Sequence, residues 1–244
     1  MTIISRRHAL ALFGGSLAAS LGSNVAEGAT KSFVAFGDSY THSYRNGIAS
    51  WADQIKSSGT ARLIVNLAYS GATAEGLDMR QTLDGQVDRW VKSYRSKGMP
   101  DRMFIYFGYN DVSPVQSLAP AMAQYRKSLD RLISYGATRS GRRIVLCLLH
   151  DWSRNPARNT SSRTRVLAWN KFVTKLADER GNVVTANLYS RFEDVYRNKS
   201  KYGLTNVTDI NLTRSATTYL YADRSHFGRK GQSIIAKELR RFLV

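Results

Sequence analysis

Short apolar runs alternate with longer amphipathic stretches from about residue 30 to the end of the chain. The runs Ser32–Phe36, Arg62–Leu67, Met103–Phe107, Arg143–Leu149 and Asn182–Leu188 are rich in aliphatic, β-branched and aromatic residues and predict five strands. Between and after them, Ile48–Ser57, Gln81–Arg95, Ala119–Tyr135, Arg163–Glu179 and Arg229–Phe242 predict helices. Periodicity supports these helices. Val166, Trp169, Phe172, Val173 and Leu176 recur at helical spacing while Arg165, Lys171 and Lys175 fall off that face, and Leu129, Leu132 and Ile133 behave alike. Such stripes are expected to be core. Strand–helix alternation without a repeat or a low-complexity linker predicts one α/β domain, a three-layer α/β/α fold around a five-stranded parallel sheet.

In an open parallel sheet the carboxyl ends of the strands share one edge, and ligands bind there. Three chemistry-bearing segments follow predicted strands. Ser39 lies in Phe36-Gly37-Asp38-Ser39-Tyr40, Gly71 in Tyr69-Ser70-Gly71-Ala72-Thr73, and Asn110 in Gly108-Tyr109-Asn110-Asp111. A fourth, Asp223-Arg224-Ser225-His226, precedes the last predicted helix. A serine hydroxyl is a poor nucleophile until a base takes its proton, so Ser39 needs a histidine such as His226. Taken singly, a serine after a strand is ordinarily a helix cap, and Asp38 and Asp111 read as residues that bond loop backbone. Ser, Gly, Asn and His in that order, converging on one edge, point to an esterase.

These blocks resemble those of the SGNH, or GDSL-type, hydrolase superfamily across nearly the whole chain after residue 28. Phe36-Gly37-Asp38-Ser39 is similar to its first block, with Tyr40 where Leu is commonest, and Asn66 to Thr73 to its second. Gly108-Tyr109-Asn110-Asp111 matches G-x-N-D, and Asp223 to His226 matches D-x-x-H. The resemblance implies a flavodoxin-like sheet and a carboxylic ester hydrolase that works through an acyl-enzyme without cofactor or metal. It implies Ser39 as nucleophile, His226 as general base and acid, and Asp223 as the carboxylate that orients the imidazole. The N–H groups of Ser39 and Gly71 and the side-chain amide of Asn110 are then expected to form the oxyanion hole, Gly71 because a missing Cβ lets substrate approach closely. Lys201 to Thr208 is similar to a segment of the phospholipase, lecithinase and hemolysin-like branch. Gly37 through Thr41, Asn66 to Thr73 and Gln86-Val87 also resemble carbohydrate acetylesterases. The two kinships agree on ester hydrolysis and differ on alcohol and acyl chain. His42, and Phe227-Gly228 in place of a common Pro-Thr, depart from the pattern near the pocket.

His150 and Trp152, in the polar stretch after the fourth predicted strand, are expected to overhang the same edge, where they and His42 are candidate substrate contacts. Packing is the alternative for His150. The expected substrate is a small ester or an acylated polysaccharide or lipid, with short acyl groups favoured because no long apolar lid segment separates the blocks. An acyltransferase, or a catalytically idle polysaccharide-binding protein, are the competing functions.

The 244-residue chain carries 36 Lys and Arg against 18 Asp and Glu, a formal net charge of +18. Such a surface favours an anionic polymer or membrane surface as partner. The basic residues are scattered and no nucleic-acid motif accompanies them, so nucleic acid is not an expected partner. Cys147, the single cysteine, sits in an apolar run and reads as core; it excludes an internal disulfide and any Cys-based metal motif. Arg6 and Arg7 precede 13 apolar or small residues, Ala9 to Leu21, too few to span a bilayer. Residues 1–28 therefore read as an export signal, and 29–244 as the hydrolase domain of a periplasmic or secreted protein. Ser5-Arg6-Arg7 resembles the twin-arginine type, although Ala9 stands where Phe is usual; a general secretory signal is the alternative. Losing Arg6, Arg7 and Glu27 would change the formal charge from +18 to +17.

Overall fold

The computed structural model describes residues 30–42, 47–76, 81–113, 117–157, 162–211 and 217–244. The proposed signal, residues 1–28, lies outside the described residues. Strands β1 (Ser32–Gly37), β2 (Arg62–Asn66), β3 (Arg102–Tyr106), β4 (Arg143–Cys147) and β5 (Val183–Ala186) form a five-stranded sheet. Its order is β2-β1-β3-β4-β5 and every pairing is parallel. β1 and β3 are buried along their whole length, which is why both read as uninterrupted apolar runs, whereas edge strand β2 is only partly covered.

The helices are α1 (Trp51–Ser57), α2 (Leu83–Ser93), α3 (Tyr109–Val112), α4 (Ala119–Ser134), α5 (Ser162–Asp178), α6 (Leu188–Arg197) and α7 (Arg229–Arg240). Right-handed crossovers place them. The chain moves one way from β1 to β2 and the other way from β2 to β5, so α1 falls on one face and α2, α4 and α5 on the other. The packing agrees: α7 covers the sheet beside α1, while α2 packs on α4 and α4 on α5. The result is the three-layer, flavodoxin-like architecture expected from the sequence.

Several boundaries differ from expectation for local reasons. α1 begins at Trp51, not Ile48, because Ser50 caps it: Ser50 Oγ accepts the Asp53 N–H while the Asp53 carboxylate takes up the Ser50 backbone N–H. Thr82 caps α2 one way only, accepting the Gly85 N–H at 3.1 Å. The predicted strand Asn182–Leu188 is divided. It yields β5 and then α6, with Asn187 as N-cap accepting the Ser190 N–H at 2.9 Å. α6 was not predicted, yet Leu188, Phe192 and Val195, all buried, keep helical spacing. A small parallel pair, β6 (Asn206–Ile210) and β7 (Tyr219–Tyr221), was also missed. Cys147 is buried as expected, and burial pushes its thiol well above the usual range. Among the described residues no helix is long and apolar enough to cross a membrane.

Candidate active site

The carboxyl ends of β1, β2 and β3 and the turn before α7 meet at one place. β1 ends at Gly37, whose N–H and carbonyl are both held by the buried amide of Gln86 from α2, at 2.9 and 2.8 Å. The next residues form a tight turn in which the Thr41 and His42 N–H groups share the Asp38 carbonyl. The buried Asp38 carboxylate accepts the Tyr40 N–H at 3.0 Å and the Tyr109 N–H at 3.2 Å, fastening the Ser39 loop to the start of α3. α3 in turn presents Asn110. Gly108, before it, has φ +130°, and a Cβ there would lie 2.5 Å from the Trp169 indole; only glycine fits.

The loop after β2 is tied to the same centre. The Tyr69 N–H donates to the Gly37 carbonyl at 3.1 Å, and the Ala72 N–H closes a turn onto the Tyr69 carbonyl at 3.1 Å. Gly71, third in that turn, has φ +80°. A Cβ added there would meet nothing within 4 Å. Conformation, not crowding, is the intrinsic demand for glycine at this position. Asn110 Nδ2 donates to the Ala72 carbonyl at 2.8 Å, so the amide expected to face an oxyanion also holds the Gly71 turn. Its second proton is not used by that bond. Neither the Ser39 nor the Gly71 N–H donates to another group among the described residues. Asp111 accepts the Ala74 N–H with both oxygens, at 2.9 and 3.1 Å, and Asp38 and Asp111 thus hold loop backbone as the sequence suggested.

His226 comes from the turn before α7. The Asp223 carboxylate accepts the N–H groups of Ser225 and His226 at 2.8 and 2.7 Å, and both its oxygens lie 3.0 Å from His226 Nδ1. On the other side of the ring, Nε2 lies 2.8 Å from Ser39 Oγ. This pattern assigns the proton to Nδ1, donated to Asp223, and leaves Nε2 to accept the serine hydroxyl. Burial favours the neutral acid at Asp223, but bonds from the His226 ring and the Ser225 N–H outweigh it and hold the carboxyl below its ordinary range. The carboxylate is charged where the imidazole needs it.

Of the three candidate substrate contacts, His42 lies at the rim, with Nδ1 3.1 Å from Ser70 Oγ and its ring stacked on Tyr69. Trp152 is partly buried, edge-on to Tyr109 at 6.0 Å between ring centres. His150 requires correction: it is wholly buried and cannot line an entrance. Leu148 continues the ladder onto the Ala186 carbonyl, and Asn170 of α5 grips the N–H and carbonyl of Leu149, drawing the chain inward. His150 is thereby packed among Tyr40, Tyr109, Phe192 and Phe227, with Nδ1 bonded to the Tyr109 and Tyr106 hydroxyls. Burial pushes its pKa well below the usual value, so it is neutral at pH 7. Sequence reasoning gave no role to the aromatic floor of Tyr40, Tyr106 and Tyr109; three tyrosines in or beside two recognised blocks were the available signal. Among the described residues no cluster of three His, Cys, Asp or Glu side chains is arranged to hold a metal ion.

The two buried aspartates give a pH signature. Burial raises the Asp38 carboxyl to about 6 and the Asp111 carboxyl to about 7, against an ordinary 3.8. A folded-state pKa raised in this way means that the native protein takes up protons before the unfolded chain does. The cost of the buried charge is present in full above the folded pKa and is relieved as pH falls towards 4. Asp111→Asn, which keeps an acceptor for Ala74, removes one such charge. Its melting temperature relative to wild type is expected to be highest near pH 7.5 and to decline by about 4 °C per pH unit down to pH 5. Thermal melts of both proteins across that range measure this, and parallel curves would refute it.

The profile of the GDSL-like lipase/acylhydrolase family matches residues 35–232, a span that includes every candidate catalytic residue. The chain belongs to this family, and its chemistry is accordingly that of carboxylic ester hydrolysis. Among solved structures, an acetylxylan esterase from Geobacillus stearothermophilus shares 17% identity over 87% of this chain and 94% of its own, with a TM-score of 0.57. The acetyl xylan esterase AlAXEase shares 16% over 87% and 100%, with a TM-score of 0.61. A member of the lipolytic G-D-S-L family from Veillonella parvula shares 14% over 86% and 96%, with a TM-score of 0.57. At these identities the likeness is one of fold. Comparison with curated proteins found no match.

Proposed function

We propose that the protein is an exported serine esterase that removes short acyl groups, acetyl above all, from a polysaccharide. The observation that carries this reading is the 2.8 Å contact between Ser39 Oγ and His226 Nε2, with Asp223 behind the ring. As Ser39 Oγ attacks the ester carbonyl, His226 Nε2 takes its proton, and the Asp223 carboxylate stabilises the imidazolium. The carbonyl oxygen, now negative, is met by the N–H groups of Ser39 and Gly71 and the second amide proton of Asn110. Collapse expels the alcohol, which leaves with the proton from His226. Water then repeats the sequence against the acyl-enzyme, with His226 as base, and releases the acid.

A short acyl group is favoured by the floor beneath Ser39. Tyr40, Tyr109 and His150 fill it, with ring centres 4.3 and 4.9 Å from that of Tyr40, and leave little depth for a long chain in that direction. The acetyl xylan esterases of like fold favour a polysaccharide acetyl ester as substrate. Export rests on the charged and apolar pattern of residues 1–28. The basic surface would draw the enzyme to anionic polymer over roughly the 10 Å Debye length at 0.1 M salt.

A series of p-nitrophenyl esters from acetyl to palmitoyl, with acetylated xylan beside it, tests the reading. Activity is expected to be highest for acetyl or propionyl and to fall at least roughly tenfold by octanoyl, the discrimination one obstructed methylene can impose. A preference for palmitoyl would make the protein a lipid acylhydrolase. Ester products formed on added sugar acceptors would make it an acyltransferase.

A further inference from the structure

We infer that Tyr40 is a positioning residue whose phenol holds the histidine-bearing turn in register with Ser39. The inference rests on the serine mechanism proposed above. Tyr40 follows Ser39 directly, and its side chain turns into the protein, where it is 1% exposed. Its hydroxyl donates to the carbonyl of Ser225, the residue before His226. The nucleophile's own loop thus reaches across 185 residues of chain to grasp the turn that carries the base.

The bonding of that turn explains why a grasp is needed. Asp223 holds the N–H groups of Ser225 and His226, and the Ala222 N–H donates to the His226 carbonyl at 2.9 Å. These bonds join residues within the turn. They fix its shape but not its distance from β1. Bonds from outside help to place it, among them the Ala157 N–H on the Arg224 carbonyl at 3.1 Å and the Tyr40 hydroxyl on Ser225. Of these two, Tyr40 belongs to the element that also carries Ser39.

Tyr40 is itself immobilised. Its N–H is held by Asp38 at 3.0 Å, and its carbonyl accepts Gln232 Nε2 from α7 at 3.1 Å. Its ring lies against Tyr109 at 4.3 Å, Phe227 at 5.4 Å and the imidazole of His226 at 5.5 Å. A rigid ring with a hydroxyl at its far end acts as a strut between the two catalytic segments. Catalytic rates are sensitive to reacting-group displacements of about 1 Å, so loosening the strut acts on alignment before it acts on the fold. The Ser225 carbonyl is in a part-buried setting, where water can replace the phenol and limit the cost to stability.

Tyr40→Phe removes the hydroxyl and keeps the ring; Tyr40→Leu removes both. On p-nitrophenyl acetate, Tyr40→Phe is expected to lower kcat about tenfold with KM within about twofold of wild type, a loss on the scale of one hydrogen bond made in the aligned state. The rate at which a serine-reactive phosphonate labels Ser39 should fall by the same factor, and Tyr40→Leu should be at least as slow in both assays. Equal kcat and labelling rates for Tyr40→Phe and wild type would overturn the inference, because the ring alone would then suffice. A rise in KM with kcat held would overturn it as well, since Tyr40 would then act on substrate binding. Absence of Ser39 labelling in the wild-type protein is a different failure: it would remove the serine mechanism itself.

Discussion

Replacing Ser39 by alanine is expected to lower ester hydrolysis by about 10⁴-fold or more, with the fold intact. The expected size follows from the role assigned to its oxygen, which lies 2.8 Å from His226 Nε2 and would form the bond to the acyl group. The fold should survive because the loop is held by other groups. Gln86 grips Gly37, Asp38 takes the Tyr40 and Tyr109 N–H groups, and Asn66 Nδ2 donates to the Thr41 carbonyl at 2.8 Å. Measured kcat/KM on p-nitrophenyl acetate, with a circular dichroism spectrum of each protein, decides the matter. Activity within a few-fold of wild type and an unchanged spectrum would end the assignment of Ser39 as nucleophile.

Asn110→Ala is expected to lower kcat by about 10²–10³ while KM changes little, since an oxyanion donor acts on charge that develops in the transition state. The structure adds a second effect. Asn110 Nδ2 also holds the Ala72 carbonyl, so the variant loosens the turn that carries the Gly71 N–H. Stability should drop by about 1 kcal/mol, the net worth of one hydrogen bond, read as a melting temperature lower by a few degrees. Steady-state kinetics and a thermal melt separate the two effects. A raised KM with kcat preserved would make Asn110 a substrate-binding residue instead.

The segments placed at the edge of the sheet were legible because strand ends are legible. Phe33 to Phe36 and Met103 to Phe107 are apolar on both faces, as central parallel strands must be, and Ser39 and Asn110 follow them within a few residues. What depended on a bond from a distant element was harder to read. Nothing local in Leu149-His150-Asp151 says that Asn170, from a helix, takes both polar groups of Leu149 and draws His150 under Tyr40. A polar stretch after a strand predicts an overhang; tertiary bonding makes it a floor. Apolar residues running through Leu188 predict the end of a strand there, although Asn187 is a helix cap and Phe192 and Val195 continue the helical spacing. The pairing of Asn206 with Tyr219 joins β6 to β7 through a non-local contact, which residue-by-residue propensity does not encode. At Gly71 the backbone adds a demand that the sequence does not show: its positive φ favours glycine, beside the expected room for substrate.

Gln232 of α7 accepts the Trp51 N–H at 2.9 Å and donates to the Tyr40 carbonyl at 3.1 Å, so the last helix is buttoned onto the first and onto the Ser39 loop. The proposed base lies 187 residues downstream of the proposed nucleophile. On a ribosome, where the amino-terminal part emerges first, every intermediate length short of His226 would carry a serine with nothing to activate it. A chain emerging in this order is chemically silent until His226 has been made. Hydrolytic competence would then arrive with a single long-range closure rather than growing with the sheet, and turnover would report that α7 has docked, a milestone that secondary-structure content alone does not register.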